Sequence, residues 1–331
     1  MRHRDSIKRF LPWLMPLFGL AVFVVVVQRA GPGRIAAVLS QADPVKLALA
    51  PVILAAIALA RGLRWQYVAN AVGIRYSLWR ATQIWLIGFF ASAVTPAKAG
   101  DALRAVYLRN DTGRPLGECF LTVFLDRLWD LGFVLVTGVV SALMFSHRYI
   151  AIPSVSLFVA GAVFIAAAAA LMTHRRAMRV LLKPVVSLLT PPRHRGSMSA
   201  GFNTFYDALR AFNSSKRRAL AMALLTLTGW ALIFALAIHI ARTLAIPVDW
   251  KYLVLIMPIV TLVELIPFTV SGLGTREATV IYFFSIVGLD SAQAVGFSIA
   301  YLLVGTYLTA LVGLALWVRY PTRWRAAQEA T

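Results

Sequence analysis

Cysteine is nearly absent from this chain: Cys119 is the only one among 331 residues. No internal disulfide can form, so a disulfide-stapled secreted scaffold is excluded. Cys119 reads as a small apolar filler rather than a nucleophile. Acidic residues are scarce too, with 13 Asp and Glu against 33 Lys and Arg and a net charge of +20. Charged residues make up only 14% of the chain, against about 25% in a soluble domain. The sequence contains no G-x-S-x-G, no Walker A, no C-x-x-C and no H-E-x-x-H motif, and its five histidines (3, 147, 174, 194, 239) are scattered. No metal ion and no cofactor is therefore expected. His239, alone in an apolar run, reads as a structural histidine.

What is present is apolar. Hydrophobic residues make up 60% and mean hydropathy is +0.76. A water-soluble domain has no place for that surplus, nor has a disordered chain. The fold class is all-α, a polytopic membrane helix bundle of about six to eight spans. The basic residues lie in short stretches between apolar runs, the distribution of the positive-inside rule rather than of a nucleic-acid-binding surface. They also suit anionic lipid headgroups.

The apolar runs are Phe10–Val27, Lys46–Ala60, Ala81–Val94, Phe120–Phe145, Val155–Met172, Leu220–Ile240, Leu253–Val270, Val280–Val287 and Ala294–Val318. The first follows Arg2, Arg4, Lys8 and Arg9, and reads as an uncleaved anchor because it is long and lacks a small-x-small cleavage site. If every run crossed, the ten basic residues between His174 and Arg218 would lie outside. A re-entrant Ala81–Val94 removes that conflict. It puts 25 of the 33 basic residues on the cytoplasmic side, counting Arg61, Arg64, Arg75 and Arg80 as a cytoplasmic group after the second run. Both termini are then cytoplasmic and the expected location is a bacterial inner membrane. The chain reads as one domain, 1–331, in which 174–218 is a cytoplasmic loop of interfacial helices. Residues 252–289 enter and leave on the outer side, as a re-entrant pair or as two full crossings.

Two Pro/Gly breaks resemble each other. One runs from Thr95-Pro96 through Gly100-Asp101 to Arg104, the other from Ile266-Pro267 through Gly272 and Gly274 to Arg276-Glu277. Interrupted segments in two halves of a membrane chain point to a midplane binding site, and opposite approach directions fit an inverted repeat. Broken backbone at membrane depth must be covered by protein or line a wet cavity. Asp101, and Thr275 or Ser271, are candidate caps of the restarting helices, whose N-termini suit an anion. Arg104 and Arg276 either bind that anion or pair with Asp101 and Glu277. Asp126, Arg127 and Asp130 form a charged cluster inside an apolar run, and Glu264 needs a partner from elsewhere, for which Arg276 is a candidate. The candidate cavity residues are thus Lys98, Asp101, Arg104, Asp126, Arg127, Asp130, Glu264, Arg276 and Glu277, with breaks at Pro96, Gly100, Pro267, Gly272 and Gly274. No residue is assigned a catalytic role.

Arg64-Trp65, the P-x-x-x-G-D-x-x-R stretch from Pro96, Asp126-Arg127 and the G-x-G-x-R-E-A stretch from Gly272 resemble the lysylphosphatidylglycerol synthase transmembrane family, also described as flippase-like or UPF0104. The resemblance runs from about residue 10 to 320. Asp126 stands where the family often has Glu, and Ala91-Ser92-Ala93 where it often has Asn. The resemblance implies a lipid-handling membrane domain that moves a phospholipid or modified lipid between leaflets. Its headgroup phosphate would sit between the two re-entrant helix N-termini, held by Arg104 and Arg276. The implied partners are membrane lipids (an anionic or modified phospholipid, a hopanoid or a glycolipid) and a separate lipid-synthesising enzyme. Because the chain ends at Thr331, a soluble synthase domain and its aminoacyl transfer are not expected. The alternative is an enzyme, or an accessory subunit of one, that modifies such a lipid.

Overall fold

A computed structural model describes residues 20–149, 216–265 and 272–321. Among these residues the secondary structure is helical, with no strand. Helices α1 (Leu20–Ala30) and α2 (Pro32–Ser40) meet at an 80° bend. The short α3 (Pro44–Leu47) is capped by Asp43, whose carboxylate accepts from the Val45 and Lys46 amides. It leads into α4 (Ala50–Ala71). Then come α5 (Leu78–Val94), a 3-10 turn (Pro96–Ala102), α6 (Leu103–Thr112) and α7 (Leu116–Tyr149). The later described part holds α8 (Lys216–Thr243), α9 (Trp250–Leu265), α10 (Thr275–Ile286) and α11 (Ser291–Tyr301). A π-helical stretch (Leu302–Leu308) joins α11 to α12 (Thr309–Arg319).

Four segments are long and apolar enough to span a membrane: Pro44–Ala71, Leu116–Phe145, Lys216–Thr243 and Ser291–Arg319. The bent pair α1–α2 makes up to five. The chain is a polytopic helical membrane protein. The expected run Val155–Met172, Pro267 and nearly all of the 174–218 loop lie outside the described residues.

Four helices are shorter. At about 1.5 Å per residue, α5, α6, α9 and α10 measure about 26, 15, 24 and 18 Å, against a hydrocarbon core of about 30 Å. They form two helical hairpins. In the first, α5 descends to the Pro96–Ala102 turn and α6 returns. The base is closed by Asp111, which accepts from Arg80 Nε at 2.8 Å and from the Tyr76 hydroxyl, and by Arg114 Nη2 donating to the Gly73 carbonyl at 3.0 Å. In the second, Tyr252 donates to the Phe283 carbonyl at 2.5 Å near the base, while Glu264 and Arg276 meet at the tip.

The bases lie at opposite ends of the bundle. At one end the first base adjoins the C-terminal end of α12, where Arg80 stacks over the Tyr320 ring and Tyr107 donates to the Tyr320 carbonyl at 2.6 Å. At the other end the Asp43 amide donates to the Thr243 carbonyl at 3.0 Å and Arg34 pairs with Asp290 at 2.9 Å. His239 donates Nε2–H to the Lys46 carbonyl at 2.9 Å, a structural bond at this same end. Each hairpin has its own core: Trp65, Ile84, Ile87 and Leu108 surround the first, and Ile240, Ile256, Phe283, Phe284 and Phe297 the second. The helix order span–hairpin–span thus occurs twice, with the hairpins pointing toward each other.

Candidate functional site

The first tip is held by backbone proximity. Gly100 packs so closely on α5 that a Cβ there would lie 2.2 Å from the Ala91 carbonyl carbon. Only glycine fits this approach. Thr95 completes the turn by donating to the Ala91 carbonyl at 2.7 Å and accepting the Gly100 amide at 2.8 Å. Lys98, at the apex, has φ +55. A side chain with a Cβ adopts that conformation at a cost of about 1–2 kcal/mol, and such strain concentrates at functional sites. Lys98 is exposed.

Behind the tip lies a buried charge network built from four elements. Asp126 on α7 accepts from Arg64 Nε of α4 at 2.7 Å and from Arg104 Nη1 of α6 at 2.9 Å. Arg104 also faces Asp101, with Nε 3.1 Å from Oδ1. Asp130, one turn beyond Asp126, accepts from Arg64 Nη1 at 2.7 Å, from Arg61 and from Trp230 Nε1 at 3.2 Å. Arg127 bonds Asp101 and approaches Asp130 at 3.7 Å. Arg104 lies over the Trp65 ring and Arg61 over the Trp230 ring, each about 5 Å from the centroid.

Two residues lie elsewhere than the sequence reading put them. Arg61 and Arg64 are not in a cytoplasmic loop. The second apolar run continues as helix to Ala71, and both side chains are buried inside the bundle. Their spacing is the missed signal: residues three apart share a helix face, and Asp126 and Asp130, four apart on α7, offer a matching pair. Asp101 does not cap α6, since its carboxylate is turned to Arg104 and Arg127 and the cap position is Ala102. Nor does Thr275 cap α10. The cap residue is Gly274, whose amide donates to Glu277 Oε2 at 2.6 Å.

The second tip is smaller. Gly272, with φ +73, presses on Glu264, and a Cβ there would lie 2.6 Å from Glu264 Cγ. Arg276 donates from Nη2 to Glu277 Oε1 at 3.2 Å, from Nε to the Ser298 hydroxyl at 3.0 Å and from Nη1 to Glu264 Oε1 at 3.4 Å. Ser298 in turn donates to Glu277 Oε1 at 2.8 Å. Lys98 lies within electrostatic range of Glu264 at the second tip and of Arg127, Asp130 and Arg61 in the first network. Tyr301, where the π-helical stretch begins, interacts with Glu264, Arg276 and Arg61.

Five basic groups of the first network (Arg61, Arg64, Lys98, Arg104, Arg127) face three carboxylates (Asp101, Asp126, Asp130). At the second tip one guanidinium serves two carboxylates. The junction is therefore positive on one side and negative on the other. Arg104 and Arg276 are buried among carboxylates, whereas Lys98 is exposed, Arg127 is 31% exposed and Glu264 is 18% exposed. Among the described residues no group of three or more His, Cys, Asp or Glu converges as a metal site.

Comparison with known proteins matches the sequence to a family. A family model described as the lysylphosphatidylglycerol synthase TM region matches residues 13–313. A UPF0104 membrane protein of Methanothermobacter thermautotrophicus is 27% identical over 340 aligned residues, 96% of this chain and 93% of that protein. A UPF0104 membrane protein of Methanocaldococcus jannaschii is 21% identical over 324 residues, 90% of each chain. Glycosyltransferase AglD of Haloferax volcanii is 29% identical over 118 residues, 36% of this chain and 18% of the enzyme. The chain belongs to the lysylphosphatidylglycerol synthase transmembrane-region family.

Proposed function

We propose that this chain moves a membrane lipid between leaflets, with the lipid phosphate received where the two hairpin tips meet. In this reading both hairpins are re-entrant, one from each face of the membrane, and both termini are cytoplasmic at an inner membrane. The observation that carries it is the exposure of Lys98 beside a buried charge network. This lysine sits on a strained turn within electrostatic range of Glu264, Arg127, Asp130 and Arg61, yet it is exposed. With the hairpin re-entrant, as proposed, an exposed cation at its tip implies a wet cavity. Arg127 adds a second, partly open cation, and the excess of basic groups attracts an anion.

Arg104 and Arg276, with Asp101, Asp126, Asp130 and Glu277, set the shape and the field of this cavity. Acyl chains remain in the bilayer while the headgroup passes. The substrate class that fits a phosphate site is an anionic or modified phospholipid, supplied by a separate lipid-synthesising enzyme; a hopanoid or a glycolipid fits only where it carries a phosphate. Reconstitution into liposomes with headgroup-labelled phospholipid and an impermeant quencher tests the reading. Quenching of well over half the label by wild type, and of the outer leaflet alone by Lys98→Ala, is the expected result. Quenching confined to the outer leaflet with wild type across a broad lipid panel contradicts it.

A second reading is modification of a membrane lipid, favoured by the partial likeness to a glycosyltransferase. A change of lipid mass on incubation with sugar donors would establish it.

A further inference from the structure

We propose that the junction is proton-coupled: Glu264 takes up one proton when an anionic headgroup engages Lys98 and Arg127, so lipid anion and proton are carried together. This rests on the translocation reading above.

The second tip has more carboxylate than cation. Glu277 is fully buried and holds the tighter share of Arg276, at 3.2 Å from Nη2 and 3.3 Å from Nε, and it also receives the Gly274 amide and the Ser298 hydroxyl. Glu264 has Arg276 only at 3.4 Å. Its other cationic neighbour is Lys98, across the gap between the tips. The groups facing Glu264 are therefore Arg276 and Glu277 from α10, Lys98 from the first tip and Tyr301 from the α11 end. Behind Lys98 stand Arg127 and Asp130 of α7 and Arg61 of α4. Residues 266–271 carry no ionisable side chain.

A phosphodiester at Lys98 takes away the second of those cations. Two carboxylates then share one guanidinium in a poorly solvated place, and like charges so placed do not both stay ionised. A proton from water bonds to a Glu264 carboxylate oxygen, and it returns to water when the lipid leaves. No other bond changes. The bound lipid's negative charge and the added proton cancel, so the loaded junction has the same charge as the empty one. A pH gradient, and not the membrane potential, then biases the direction of transport. Glu264 is only 18% exposed and packs against Gly272, so a proton reaches it more readily than a lipid ammonium.

Calorimetric titration of the full-length protein in detergent with dioctanoyl phosphatidylglycerol, in a series of buffers with different ionisation enthalpies, tests this. Wild type is expected to take up about one proton per lipid bound. Glu264→Gln, checked for folding by size exclusion and circular dichroism, is expected to bind with no uptake and with a pH-independent affinity. Wild-type binding without proton uptake overturns the coupling while leaving translocation standing, and needs no variant. Uptake that persists unchanged in Glu264→Gln overturns the assignment to this residue. Tight binding of dioctanoyl phosphatidylethanolamine through its ammonium, without uptake, also overturns it. Absence of both lipid binding and leaflet exchange in wild type overturns the translocation reading and the coupling with it.

Discussion

Arg64 and Asp126, 62 residues apart in the chain, meet at 2.7 Å with neither side chain more than 1% exposed. The contact ties α4 to α7 behind the first hairpin tip, and Arg104 on the other oxygen of Asp126 ties in α6. A buried ion network is weak evidence for net stability, but removing one partner strands the others. Asp126→Asn leaves two buried guanidiniums short of charge, and a loss of about 3–5 kcal/mol is expected. Unfolding in mixed micelles against an increasing denaturing-detergent fraction measures it. Unchanged stability would mean that the network is not closed as described.

Lys98 separates stability from function. Its left-handed backbone conformation costs about 1–2 kcal/mol for a residue with a Cβ, and glycine relieves that cost while adding freedom to the unfolded chain. Lys98→Gly is therefore expected to hold or raise the melting temperature. Leaflet exchange in the same protein is expected to fall at least about tenfold, equivalent to about 1.4 kcal/mol on the barrier. A variant that is both stable and fully active would remove Lys98 from the site.

Gly100 tests how the tip is seated. A methyl group there would sit 2.2 Å from the Ala91 backbone, and backbone cannot swing aside as a side chain can. Gly100→Ala is expected to cost at least about 1–3 kcal/mol by overpacking and to lower the melting temperature in detergent. A melting temperature equal to wild type would show that the turn does not dock on α5.

Asp290, just outside the last span, gives a pH dependence. The Gln293 amide first, and then Arg34, hold its carboxyl below the usual aspartate range. Its contribution is therefore complete above the unfolded value of about 3.9 and is lost as pH falls through the lower folded value. Asp290→Ala is expected to cost about 1 kcal/mol as a lost helix cap, the half-exposed Arg34 pair adding little. Asp290→Asn still caps, so its melting temperature at neutral pH should match wild type. Its decline between about pH 4 and 3 should be shallower, and an identical acid limb would contradict this role.

The membrane fold was legible because lipid demands long apolar helices, and Pro44–Ala71, Leu116–Phe145, Lys216–Thr243 and Ser291–Arg319 all coincide with apolar runs. The stop at Thr95-Pro96 was legible as well, since proline removes a backbone donor and disfavours helix in the residue before it, although α9 continues through Pro258. Arg61 and Arg64 were misplaced because a charge count treats every basic residue at the end of a run as a loop charge. The signal lay in their three-residue spacing and the matching Asp126 and Asp130 pair, which a charge count does not weigh. Asp101 and Thr275 have the right chemistry for caps, but the arginines at the first tip claim Asp101, and Glu277 occupies the Gly274 amide. Which cations stay open could not be read from sequence either. Lys98 is distinguished from Arg104 by a turn that points it outward.

Two hairpins that come from opposite faces and meet have their bases on opposite sides of the membrane. Substituted-cysteine labelling tests this most directly. With Cys119 replaced by alanine, single cysteines go in at exposed positions beside the bases, Arg75 and Arg114 at the first and Asp249 and Val287 at the second. An impermeant maleimide is then applied to each side of sealed, oriented vesicles. Arg75→Cys and Arg114→Cys are expected to react from one side only, and Asp249→Cys and Val287→Cys only from the other. Reaction of Arg75→Cys and Arg114→Cys from opposite sides, or of all four from the same side, would contradict it.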